Sequence, residues 1–162
     1  MKEFQEHIKN KTMLDRAQRY ADAEATCKKV KVGSLIITEN FSIVKGKNHG
    51  LNHKCDEAEC LRVMKYGENS KDHRLPSDCA AIHSEVDAIC NAAEQGIPLS
   101  GATIFVTRYP CEACARAIVQ SGIRKVVYGR KEKVSEMTEG ILNWGEVIVV
   151  HEEDWDAEDD NS

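Results

Sequence analysis

From residue 83 onward the chain alternates between two hydrophobic periods. "HSEVDAICNAAEQG" spaces its apolar positions by threes and fours and stops at Gly96, which predicts a helix with a glycine end. "ATIFVT" is a short β-branched run and predicts a strand. "CEACARAIVQSG" returns to helical spacing and closes at Gly122, and "KVVYG" is another strand. "VSEMTEGILNWG" is a weaker helix with Gly140 inside it, and "EVIVV" is a last strand. Upstream, residues 2–27 are rich in helix formers, with Phe4, Ile8, Leu14 and Ala17 as the expected buried stripe. "VGSLIIT" and "FSIVKG" are β-rich runs parted by Glu39-Asn40, which predicts a hairpin. Residues 47–82 show little period and hold the breakers Gly50, Gly67 and Pro76, so they form a long irregular insertion. Such segments are uncommon unless they are functional or tied down. The order predicts one domain over residues 1–151, an α/β fold in three layers (α/β/α) around a central mixed sheet of about five strands.

Composition narrows the class. A chain of 162 residues, 41% apolar and 30% charged, has room for one proper core. No stretch approaches the roughly 18 apolar residues of a membrane helix. The opening "MKEFQEHIKNK" has no apolar run, so no signal peptide is expected and the cytoplasm is the expected location. The net charge of -5 arises at one end, where Glu152, Glu153, Asp154, Asp156, Glu158, Asp159 and Asp160 meet no Lys or Arg. Residues 152–162 are therefore expected to be a solvated, disordered acidic tail. The remaining body is about neutral, which counts against long nucleic acid as a partner.

Seven cysteines are many for a reducing compartment, and they point to metal binding or catalysis rather than disulfides. Cys111 and Cys114 follow Pro110 in "TRYPCEACARAI", three apart at a predicted helix start and so on one face. His83 opens the preceding helix and Glu85 follows it. A redox pair would need a thioredoxin-like context, which is missing. His-x-Glu followed by Pro-Cys-x-x-Cys is instead the zinc deaminase order. Two thiolates neutralise Zn2+, neutral His83 completes three ligands, and a fourth position stays open for water. Zinc lowers the pKa of that water toward about 7. Glu85 is then the proton shuttle rather than a ligand.

These motifs give the chain a resemblance to the cytidine deaminase superfamily, and within it to the deoxycytidylate (dCMP) deaminases. The resemblance rests on Val32-Gly33, Gly46-x-Asn48, Cys55-Asp56-Glu57, His83-x-Glu85 and "GATIFVTRYPCEACARAIVQSGIRKVVYG", and it spans roughly residues 20–130. It implies a cytidine deaminase-like fold, a homo-oligomer, hydrolytic conversion of dCMP to dUMP and ammonia, and dCTP and dTTP as effectors. It also implies a second, structural zinc on Cys27, Cys55, Cys60 and Cys79, a closed four-thiolate site that would order the insertion. His73 is the substitute ligand, and a set of buried thiols is the open alternative. Cys90 is left over as an expected core residue.

The chain also departs from the pattern of that family. The usual His-Ala-Glu-x-Asn-Ala reads His83-Ser84-Glu85-Val86-Asp87-Ala88, Ala80-Ala81 replaces Arg-Thr, and Lys47-Asn48-His49-Gly50 replaces Tyr-Asn-Gly. An ionised Asp only accepts hydrogen bonds, where Asn also donates. These changes bear on the substrate and not on the metal. Ser84 and Asp87 are candidate substrate contacts. Asn48 either meets the sugar hydroxyl or is a turn residue. Tyr109 either stacks on the base or packs in the core. Arg108, Lys45, Lys47 and Arg74 are phosphate candidates that the sequence does not separate from ordinary surface cations. Competing readings are a deaminase of another nucleotide, a nucleoside or a base, which Asp87 keeps open; a polynucleotide editor, which would want a basic groove with aromatics; and a non-catalytic zinc-binding regulator, against which Glu85 argues. No membrane partner is expected.

Overall fold

The computed structural model describes residues 2–51, 60–67, 79–130 and 135–153. Its elements follow the expected order: α1 (Lys2–Glu24), β1 (Gly33–Ile37), β2 (Ile43–Lys47), α2 (Leu61–Tyr66), α3 (Ser84–Glu94), β3 (Thr103–Arg108), α4 (Glu112–Gln120), β4 (Lys125–Arg130), α5 (Glu136–Trp144) and β5 (Ile148–His151). The strands make one mixed sheet in the order β2-β1-β3-β4-β5. β1 runs antiparallel to both β2 and β3, while β3, β4 and β5 are parallel. Parallel neighbours need crossover segments, and α4 and α5 supply them.

Alternate residues of each strand serve opposite faces. Leu35, Phe105 and Val127 pack under Leu14 and Ala17 of α1. Ile36, Ile104, Val106 and Val126 face the other way, onto Ala88, Ala92, Ala115, Ile118 and Leu142 of the remaining helices. The layers are thus α1, the sheet, and α3 with α4 and α5. Two expectations need correction. Ile8 is 48% exposed, because the buried stripe of α1 runs through Asn10, Leu14, Ala17 and Ala21, and Ile8 lies round the helix from it. Cys90 is exposed, because α3 buries Ser84, Glu85, Ala88 and Ala92, and a residue two beyond Ala88 faces away. The side chain of Phe4 lies outside the described residues.

Two contacts place the site. A Cβ on Gly46 would stand 2.1 Å from the Ser84 carbonyl oxygen and 2.5 Å from the Ala88 nitrogen, so only glycine lets β2 sit directly on the first turns of α3. The insertion is drawn shut at its ends, where His49 N–H donates to the Ile82 carbonyl at 3.1 Å and Ile82 N–H donates to the His49 carbonyl at 2.8 Å. Inside it the sequence hid a short helix, α2. The hairpin loop is wider than the expected dipeptide: Ser42 closes onto Thr38, and Phe41 takes a φ of 64°. Among the described residues no helix is long and apolar enough to cross a membrane.

Candidate active site

His83 is the N-cap of α3 and Cys111 is the N-cap of α4, yet neither side chain caps its own helix. Both turn instead toward Cys114, which lies buried in the first turn of α4. His83 Nδ1 lies 3.5 Å from Cys111 Sγ and 3.5 Å from Cys114 Sγ, and the three ligand atoms all fall within 4.8 Å of one another. Tetrahedral zinc, with Zn–S of about 2.3 Å and Zn–N of about 2.0 Å, separates nitrogen from sulfur by about 3.5 Å. The triangle therefore fits three corners of a zinc tetrahedron and leaves one corner to an outside group. Among the described residues it is the one group of three His, Cys, Asp or Glu side chains that could hold a metal ion.

The charges agree with that fit. The hydrogen bond from Cys114, helped by His83, holds the Cys111 thiol down to about 4. Cys114 is driven the other way, first by its hydrogen bond to Cys111, then by burial and by Glu85. The sulfurs thus share one negative charge readily, and a second waits for a cation. The Cys111 sulfur raises the His83 pKa against the burial that would lower it. Each ligand-bearing helix also begins with unsatisfied N–H groups, which favour anionic sulfur.

Glu85 lies in the first turn of α3, two residues after His83, and is only 4% exposed. Burial pushes its carboxyl up, and its hydrogen bonds and the charge of His83 only partly oppose this. Ser84 Oγ donates to Glu85 Oε2 at 3.2 Å and meets Ser34 Oγ at 2.7 Å, both serines being fully buried. An acid raised toward neutrality beside a metal-binding triangle suits a group that takes and returns protons.

The residues expected to read the substrate are largely engaged by the chain itself. Asn48 Oδ1 accepts from Val32 N–H at 2.9 Å, and its Nδ2 donates to the Val30 carbonyl at 2.7 Å. Asp87 Oδ2 accepts from Lys47 N–H at 2.9 Å, and its Oδ1 meets His49 Nε2 at 3.0 Å. Tyr109 is half-buried and stands edge-on to Tyr128, ring centres 4.8 Å apart. Lys45 and Lys47 lie over the Tyr20 ring at 5.4 and 5.9 Å. Cys27, Cys60 and Cys79 are half-buried free thiols that form no second triangle among the described residues. Cys55, His73 and Arg74 lie outside the described residues. Sequence reasoning passed over Arg62 on α2, whose charge reaches His83 and opposes its protonation. It stands in the insertion, where no period marked a helix.

The sequence profile of the MafB19-like deaminase family matches residues 8–154. ComE operon protein 2 of Bacillus subtilis (strain 168) is 31% identical over 128 residues, covering 77% of this chain and 61% of that protein. Deoxycytidylate deaminase of Enterobacteria phage T2 is 48% identical over 63 residues, covering 36% of this chain and 34% of that protein. The chain thus spans less than two thirds of these relatives. In three dimensions it is similar to the dCMP deaminase of cyanophage S-TIM5, crystallised with dCMP and dUMP, at a TM-score of 0.64 and 22% identity over 87% of this chain and 94% of that one.

Proposed function

This chain belongs to the MafB19-like deaminase family, within the cytidine deaminase superfamily and close to its dCMP deaminases, and from that premise we propose that it hydrolyses dCMP to dUMP and ammonia. The observation that carries the reading is a buried carboxyl, Glu85, beside the triangle of His83, Cys111 and Cys114. In this reading those three side chains hold a zinc ion. When bound, it supplies the Lewis acidity that makes water a nucleophile near neutral pH. Glu85 takes a proton from the attacking water, gives it to the ring nitrogen of cytosine, and later returns a proton to the departing amine. Ser84 fixes the carboxyl by its hydrogen bond to Oε2. The raised pKa of Glu85 matches a group that must hold and release a proton in one cycle.

The same reading treats residues 1–151 as the catalytic domain, gives the acidic segment 152–162 no part in the chemistry, and takes a cytoplasmic homo-oligomer answering to dCTP and dTTP as its setting. A second, structural zinc on Cys27, Cys55, Cys60 and Cys79 rests on the resemblance to deaminases that hold one there, and Cys55 lies outside the described residues. The test is Glu85→Ala in zinc-loaded protein. Zinc content by metal analysis should stay at the wild-type value while ammonia release from dCMP falls by about 10²–10⁴-fold. Turnover near wild type would remove Glu85 from the mechanism. An ammonia-release screen of cytosine and purine nucleotides, nucleosides and bases decides the substrate: dCMP leading supports the reading, and another compound leading replaces it.

A further inference from the structure

Ser34 on β1 and Ser84 at the start of α3 are both fully buried, and their hydroxyl oxygens meet at 2.7 Å. Strand register explains the meeting. Ser34 is paired with Gly46 of β2 on one side and with Val106 of β3 on the other. Paired residues of neighbouring antiparallel strands share a face. Here it is the face of Val106, which packs in the core with Ala88 and Ala92 of α3. Gly46 presents no side chain on that face, so the Ser84 backbone comes down onto β2 and its hydroxyl reaches Ser34.

The surroundings of this pair are apolar, with Ile36, Val44, Ala88 and Val106 in the same layer. A buried hydroxyl without a partner is destabilising there, so each serine needs one. The related motif carries alanine where Ser84 stands, and alanine would pack without a partner. Counting hydrogens gives the pair a direction. Ser84 has one hydroxyl hydrogen, and it goes to Glu85 Oε2 at 3.2 Å. Ser34 must then donate to the Ser84 oxygen, and among the described residues the Ser34 hydroxyl bonds to nothing else. Neighbouring helical residues do not ordinarily face each other. Glu85 meets Ser84 because its carboxyl folds back over the open start of α3, where it also takes its own backbone N–H. From there it is within hydrogen-bonding reach of Cys114.

We propose that Ser34 is a positioning residue for Glu85: by fixing the Ser84 hydroxyl, it holds the Glu85 carboxyl folded back toward the His83–Cys111–Cys114 triangle. This rests on the deaminase reading and adds to it a residue of β1, outside the metal-binding motif. A Ser84 held at its oxygen aims its single hydrogen at Oε2, and a Ser84 left unheld is free to turn away. Each hydroxyl both donates and accepts, so the pair serves the carboxyl in either direction of proton transfer.

The test measures kcat and KM for ammonia release in zinc-loaded wild type, Ser34→Ala, Ser84→Ala and the double variant, with dCMP or whichever compound leads the screen. Metal analysis and urea denaturation accompany each protein. Ser34→Ala should keep its zinc and its KM while kcat falls by about 3- to 10-fold, the worth of one neutral hydrogen bond. In the Ser84→Ala background the same change should leave kcat within about 2-fold, because residues acting in series are not additive. The double variant should also denature at a higher urea concentration than Ser84→Ala, which strands the Ser34 hydroxyl in the core. An unchanged kcat in Ser34→Ala, a rise in KM with kcat kept, or a loss that persists in the Ser84→Ala background would overturn the positioning role. If Ser84→Ala does not fold, the split between kcat and KM in Ser34→Ala decides alone. A wild type that turns over beside an indifferent Ser34→Ala sinks this role and spares the deaminase reading. A wild type that releases no ammonia from any compound sinks both.

Discussion

Asp87 has two carboxylate oxygens, and the fold uses both: one takes the Lys47 N–H and the other meets His49. The sequence showed an acid where the related motif has an amide, and it suggested a group that reads the substrate. It did not show the partner, because His49 lies 38 residues away in the chain and only the sheet brings it near. The two departures from the family pattern, at positions 49 and 87, are thus one contact. Asp87→Asn should therefore cost about 1.5–3 kcal/mol in urea denaturation, the worth of a charge-assisted hydrogen bond, while the ratio of dCMP to deoxycytidine turnover stays within about 2-fold of wild type. A shift of that ratio toward dCMP would return Asp87 to the substrate. The clustering of His83, Cys111 and Cys114 was legible because helix starts fix their local geometry, and a metal site demands few residue types at set spacing.

At the scale of elements, strong periods were read correctly, and so was the weaker one that forms α5 (Glu136–Trp144). The strands from Thr103–Arg108 onward and helices α3 and α4 fell within a residue or two of expectation. Helix α2 was missed because six residues, LRVMKY, are too short to show a period. The burial of Ile8 was misjudged because α1 meets the sheet along a narrow stripe whose phase depends on where β1 and β3 lie. The contact between β2 and α3 makes its own prediction. Gly46→Ala would drive a methyl into the Ser84 carbonyl and the Ala88 nitrogen, so β2 and the first turns of α3 must part. Overpacking of this kind costs about 1–3 kcal/mol. A lowered melting temperature with weakened zinc retention is the expected result, since His83 begins that helix. A variant as stable as wild type would mean that the strand shifts without moving the helix.

Across the whole molecule, the metal-binding triangle joins two helices that share no covalent neighbourhood, so zinc should stabilise the fold by mass action. Its pH dependence follows from the ligands. His83 must lose its proton to ligate, and its pKa is raised, so protons compete below that raised value. Cys114 also holds its proton, whereas Cys111, at about 4, has already lost its own near neutrality. Apparent zinc affinity should therefore rise with pH, with about one to two protons released per ion near pH 7, read by calorimetry in buffers of different ionisation enthalpy. Proton-neutral binding would place the metal on other ligands. The same titration should saturate near two zinc per chain if the four cysteines make a site, and near one if only the triangle does. The antiparallel bridge between His49 and Ile82 has a last consequence. The long excursion leaves and rejoins the body at a single doorway, one step before His83. What lies beyond that doorway reaches the metal-binding triangle through the charge of Arg62 on α2 rather than through the course of the backbone into His83.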